Sequence, residues 1–217
     1  MIGGKGEFKP IVYGDIYEIR QYGIDFFDYI LDIGSNIGSF SILSGILHRS
    51  ASVFSIEPSP ENYKNLKNNI NLHKNIKIKS YALGDDESMP FKEDFNSFGR
   101  HLTKNEKGDI FIPTKTLRQI IDDCNIDLSK KICFKCDCEG GERFLLDQKS
   151  TNILKKFYHI GMEIHFVKSN GVPIYPGCLE YKNYRDWINE NFTNTHKIKY
   201  KKSNKHKGYG HYILSRK

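Results

Sequence analysis

The sequence predicts an α/β fold, in which a mostly parallel sheet carries helices on both faces. Strand-like and helix-like segments alternate along the chain. A glycine-containing turn joins the first strand to the first helix. Acidic residues recur at the ends of the strand-like segments. The 217 residues fit one α/β domain, spanning 1–217, better than two cores.

The first strand is read in Phe27-Asp28-Tyr29-Ile30-Leu31-Asp32-Ile33, followed by a turn over 34–38 and a helix over 39–47. A second strand over 51–56 enters a helix at Ser59-Pro60-Glu61, where Ser59 can cap the helix and Pro60 can open it. That helix runs to Leu72 with apolar residues at helical spacing. A third strand spans 76–83. From 84 to 113 the pattern breaks into short turn-rich pieces holding Phe91, Phe95, Phe98 and Phe111, read as a β-hairpin excursion. A helix over 116–124, a fourth strand over 132–137, a helix over 142–147 and a fifth strand over 157–166 follow. The helix over 180–191 carries the sole tryptophan, Trp187. Finally 196–200 and 209–214 alternate like an antiparallel pair across the turn Lys207-Gly208.

Composition narrows the class. The chain is 38% hydrophobic and 27% charged, with 14 Phe and 13 Tyr, as a globular protein requires. It has no apolar run near the roughly 20 residues that cross a bilayer. Its first residues, Met1 to Gly6, lack the apolar stretch of a secretory signal, so a cytoplasmic setting is expected. The five cysteines are odd in number and cannot all pair within the chain. Cys133, Cys136 and Cys138 lie in a strand-like segment that sends alternate residues to opposite faces, so they read as reduced core thiols, and no residue is assigned to a metal. The net charge of +7 gathers at the C-terminus in Lys197, Lys199, Lys201, Lys202, Lys205, Lys207, Arg216 and Lys217. A solvated edge hairpin explains it better than a phosphate-binding stripe, because no aromatic–basic recognition motif accompanies it.

The most informative stretch is Leu31-Asp32-Ile33-Gly34-Ser35-Asn36-Ile37-Gly38. Glycines at a strand-to-helix turn let the backbone bend sharply and let a ligand approach. The spacing Gly34-x-x-x-Gly38 lacks the central glycine that admits a dinucleotide's pyrophosphate. Asp32, ahead of the loop, would repel a pyrophosphate but attract an ammonium group. Glu57, at the tip of the second strand about 20 residues on, is placed to accept both hydroxyls of an adenosine ribose. Together they point to a cation-bearing nucleoside cofactor. Farther on, Lys135, Asp137 and Glu139 end the fourth strand, and Glu163 and His165 sit two apart in the fifth. Neighbouring strands would bring these groups together at the carboxyl edge of the sheet, where open α/β sheets bind ligands.

These segments resemble the FkbM family of S-adenosylmethionine-dependent methyltransferases. The likeness is carried by Leu31 to Gly38, Ile56-Glu57-Pro58-Ser59-Pro60-Glu61-Asn62, Ala82-Leu83-Gly84-Asp85, Phe134-Lys135-Cys136-Asp137-Cys138-Glu139-Gly140-Gly141-Glu142 and Glu163-Ile164-His165. The resemblance implies a Rossmann-like methyltransferase fold, a seven-stranded sheet with an antiparallel last strand. It also implies S-adenosylmethionine held by Asp32, Gly34, Ser35, Asn36 and Gly38 around the methionine and ribose, Glu57 with Pro58 at the ribose, Ala82-Leu83 beside the adenine, and Asp137 beside the methyl donor. Family members methylate hydroxyls of sugars or small metabolites, so O-methylation of a glycan or small-molecule acceptor is expected. His165 or Asp137 would take the proton, with Glu139 and Glu163 orienting the partner group. A nucleic-acid methyltransferase using the basic C-terminal hairpin, and a non-catalytic cofactor-binding adaptor, are the competing readings.

Overall fold

The computed structural model describes residues 9–85, 87–92, 101–102, 110–175, 177–204 and 208–217. The expectations that fall on Met1 to Gly6, Phe95, Phe98, Pro176, Lys205 and Lys207 lie outside the described residues. Seven strands form one sheet: β1 (Tyr29–Ile33), β2 (Ser52–Ile56), β3 (Ile76–Lys79), β8 (Ile132–Cys136), β9 (His159–His165), β10 (His196–Asn204) and β11 (Tyr209–Arg216). Their order is β10-β11-β9-β8-β1-β2-β3. β11 runs antiparallel to both its neighbours, while β9, β8, β1, β2 and β3 are parallel. The sheet is the seven-stranded, mostly parallel one expected, with the last strand reversed and slotted inside β10.

Strand alternation sorts the core into two layers. Leu31 and Ile33 of β1 pack with Phe134 of β8 against α3 (Leu117–Asp123), α4 (Gln148–Leu154) and α5 (Tyr181–Phe192). Ile30 and Cys133 face the other way, toward α1 (Ser39–Leu47), α2 (Pro60–Asn69) and the N-terminal segment with Tyr17 and Ile19. Ser59 accepts a hydrogen bond from the Asn62 amide and Pro60 opens α2, as the sequence indicates.

The structure departs from the sequence reading at four places. The third strand is not continuous over 76–83. It breaks at Ser80-Tyr81, and β4 (Ala82–Leu83) leaves the main sheet to pair with β7 (Ile110–Lys115) in a small second sheet with β5 (Ser88–Lys92) and β6 (His101–Leu102). The helix expected over 142–147 is a 3-10 turn, Gly141–Leu145, and the α-helix follows it as α4, capped by Asp147. Residues 11–22, given no role from sequence, pack into the core through Ile11, Tyr17 and Ile19. Cys136 and Cys138 approach with their sulfurs 3.0 Å apart, because residues two apart share a face where the chain stays extended. Among the described residues no helix is long and apolar enough to cross a membrane.

Candidate active site

The glycine loop is built by packing as much as by room for a ligand. The amides of Gly34 and Ser35 both donate to the Ile56 carbonyl, at 3.0 Å, which pins the loop to β2. Gly34 adopts φ +76°, and a Cβ there would run into the backbone carbonyl of Asp137. Gly38, at φ +93°, opens α1, and a Cβ there would come within 2.6 Å of Leu66 Cδ1. The glycines thus bring the loop against the tip of β8 and against α2.

A cleft opens at this carboxyl edge, the place where open α/β sheets bind ligands. Gly34, Asn36, Glu57, Pro58, Ala82, Leu83, Asp137 and Glu139 line it, which unites most residues singled out from sequence. Asp32, Ser35 and Gly38 do not line it. Ser35 turns its hydroxyl onto the Asp32 carbonyl at 2.9 Å. Asp32 is fully buried beneath the loop, with Lys135 Nζ at 3.2 Å and the Ser41 hydroxyl donating at 2.6 Å. Its carboxylate is therefore spent on the interior, not on an ammonium in the cavity. Ile33, Ile56, Asn62, Tyr81, Phe91, Leu102 and Cys138 complete the lining. Phe91 belonged to the excursion, where only an aromatic among turn residues hinted at a wall.

Glu57 accepts the Asn36 amide at 2.8 Å and the Ser59 amide at 3.0 Å. Burial pushes its carboxyl up to about 7, against the lowering effect of those amides. Asn36 is held at φ +50°, and its side-chain Oδ1 is buried in the cavity wall with no hydrogen-bond partner among the described residues. Such an acceptor is costly unless a donor meets it. An ammonium or hydroxyl of a nucleoside amino acid supplies one, so the residues present fit S-adenosylmethionine.

The opposite wall is acidic. Asp137 takes a hydrogen bond from the Tyr17 hydroxyl at 3.0 Å. Burial, then the Glu163 carboxylate, raises Asp137 to about 6 against the opposing pull of Lys135 and His165. Glu139, at φ +53°, is pushed by burial up to about 8 although His165 pulls it down. Behind them stands His165, buried, with Nε2 3.2 Å from Glu139 and 3.5 Å from Glu163, and Nδ1 3.2 Å from Glu142. Burial alone would lower its pKa, but Glu142, Glu139 and Glu163 together hold it well above the ordinary histidine range. Glu163 also meets His211 Nε2 at 2.5 Å, and the two imidazoles outweigh burial to hold it below the usual carboxylate range. The expected meeting of β8 and β9 side chains is present, with Glu163 and His165 behind the cavity wall. Donor atoms of Cys136, Cys138 and Glu142, and of Asp137, Glu142 and His165, each gather within 4.8 Å. In both sets Glu142 is already engaged by the amides of Cys138 and Gly140, and neither set is assigned an ion.

The sequence matches the Methyltransferase FkbM domain over residues 32–197. No curated protein matches it. Among solved structures, a candidate rRNA-methylase from Clostridium thermocellum superposes with a TM-score of 0.57 at 9% identity, over 94% of each chain. Precorrin-6y C5,15-methyltransferase from Geobacter metallireducens GS-15 gives 0.52 at 11% identity, over 95% of this chain and 88% of that one. Methyltransferase FkbM from Methylobacillus flagellatus KT gives 0.50 at 14% identity, over 91% of this chain but only 46% of that one. Identities this low make the likeness one of fold. The domain match covers most of the chain, from the end of β1 to the start of β10, and on that ground the chain belongs to the FkbM family of methyltransferases.

Proposed function

We propose that the protein transfers a methyl group from S-adenosylmethionine to a hydroxyl of a sugar or small metabolite. The observation that carries this reading is one cavity with an acid at a strand tip, Glu57, on one wall and the acid pair Asp137 and Glu139 on the other. Bound S-adenosylmethionine supplies a methyl on a sulfonium, open to in-line displacement. Glu57 would accept the ribose hydroxyls, and Asn36 would offer its unmet oxygen to a donor of the cofactor. Ala82 and Leu83 give an apolar wall for the adenine.

For an alcohol acceptor the protein must also remove a proton. His165 is poorly suited, because carboxylates surround both its nitrogens and favour the imidazolium. Asp137, raised only to about 6, is ionised at neutral pH and is the better acceptor of the proton. Glu139, near 8, keeps its own proton and orients the hydroxyl by donating to it. His165 and Glu163 hold Glu139 from behind. The basic C-terminal strand favours a nucleic-acid acceptor less, since Lys199 and Lys201 both pair with Glu18, at 2.6 and 2.8 Å. The test is methyl transfer from labelled cofactor across a panel of glycans, hydroxylated metabolites and RNA. Label in a hydroxylated small molecule or glycan supports the proposal. Label only in RNA overturns the acceptor class.

A further inference from the structure

We infer that Tyr17 is a positioning residue for methyl transfer, acting through the carboxylate of Asp137. This rests on the proposed role of Asp137 and deepens it. The N-terminal segment crosses the sheet face over one row of paired residues. In register, Ser55 lies beside Asp32, Asp32 beside Lys135, and Lys135 beside Gly161. Tyr17 sits on that row, buried, and its hydroxyl reaches Asp137 Oδ2 at 3.0 Å. Lys135 Nζ lies 5.8 Å from its ring centre. A Cβ on Gly161 would meet Tyr17 Cδ1 at 2.9 Å, so the missing side chain there leaves the ring its berth.

The segment is fastened on both sides of Tyr17. The Tyr17 carbonyl meets His159 Nε2 at 2.7 Å, the next residue, Glu18, pairs with Lys199 and Lys201, and the Ile19 amide donates to Asp15. With its backbone held from β9 and β10, the ring has one place to go, and the hydroxyl fixes which way the Asp137 carboxylate points. A carboxylate aimed by a phenol from behind offers its other oxygen to the cavity. The charged or titratable groups that act on Asp137 include Lys135 on β8, Glu139 just beyond it, Glu163 and His165 on β9, and Glu142 on the 3-10 turn. Of these neighbours, Tyr17 is the neutral donor, so its removal leaves the charges in place.

The test compares the wild-type protein with Tyr17→Phe and Gly161→Ala. The first deletes the donor, and the second keeps it but crowds the ring. Both are expected to lower kcat about ten-fold with the acceptor KM little changed, as loss of a hydrogen bond to a charged group does. The acid limb of the pH–kcat profile should move upward, because the lost donor stabilised the charged carboxylate. A carbon-detected NMR titration of the Asp137 carboxyl in the ligand-free protein should show the same upward shift. An unmoved Asp137 titration in Tyr17→Phe overturns the inference, whether or not the protein methylates anything. A shifted titration in a protein that binds no S-adenosylmethionine upholds the Tyr17–Asp137 coupling and overturns the methyl-transfer reading instead.

Discussion

Asp32 and Lys135 stand side by side across the β1–β8 ladder as an ion pair 3.2 Å apart, both buried in the sheet's interior. Lys135 also donates to the Gly34 carbonyl at 2.6 Å, so one ammonium ties the strand tip to the glycine loop. Removing a single partner leaves the other charge stranded. Lys135→Met is expected to cost about 3–5 kcal/mol of stability, the usual penalty for breaking a buried pair. Thermal or urea unfolding checks this; a variant as stable as the wild type would mean that Asp32 is not held by this pair.

Gly34→Ala tests how the loop meets β8. The added Cβ collides with the Asp137 carbonyl, and the left-handed backbone adds strain of its own. We expect a loss of about 3 kcal/mol or more, with cofactor affinity falling alongside it. Denaturant melts with a calorimetric titration measure both. An alanine accepted without loss would show that the loop and the β8 tip can move apart.

How legible was this in the sequence? The loop, Glu57 and the cluster of Asp137, Glu139, Glu163 and His165 were legible because strand tips and two-residue periodicity place them without tertiary knowledge. The C-terminal antiparallel pair was legible for the same reason. Tyr17 was not, because residues 11–22 lack any periodic pattern and dock only once the sheet face exists. The inward pairing of Asp32 is hidden in the sequence because its cross-strand partner Lys135 is set by register, which local sequence does not reveal. The break at Ser80-Tyr81 is only half legible: alternation holds from Ile76 to Lys79 and ends at Ser80, but the apolar Tyr81, Ala82 and Leu83 read as the continuation of a buried strand. The 3-10 turn at Gly141–Leu145 hid α4 behind it.

The acid pair sets the pH dependence. On the proposed mechanism Asp137 acts ionised and Glu139 protonated, so kcat should rise as pH passes about 6 and fall as it passes about 8. The two limbs belong to the coupled pair more than to either residue. A steady-state profile with saturating substrates measures it. A rate that climbs steadily through pH 9 would exclude a protonated Glu139.

His165 is expected to act as a buried cation more than as a base. A histidine whose folded pKa is raised contributes stability that is fully present below about 6.5 and is lost as pH rises through the folded value. His165→Ala should therefore lose about 3–5 kcal/mol at neutral pH, because the buried carboxyl groups around it lose the cation they pair with. The stability advantage of the wild type over the variant should be full from about pH 5 to 6.5 and shrink as pH rises toward the raised His165 value. Unfolding curves across that range check it. A variant of unchanged stability but abolished turnover would return His165 to the role of proton acceptor.

The most direct measurement is calorimetric titration of the protein with S-adenosylmethionine and its demethylated product, beside the Glu57→Gln variant. The account predicts one site per chain for the wild type and an affinity at least ten-fold weaker in the variant, whose amide NH2 replaces an oxygen that accepts from the loop amides or the ribose hydroxyls. A wild-type protein with no affinity for either compound, or one whose affinity is untouched by Glu57→Gln, would contradict it.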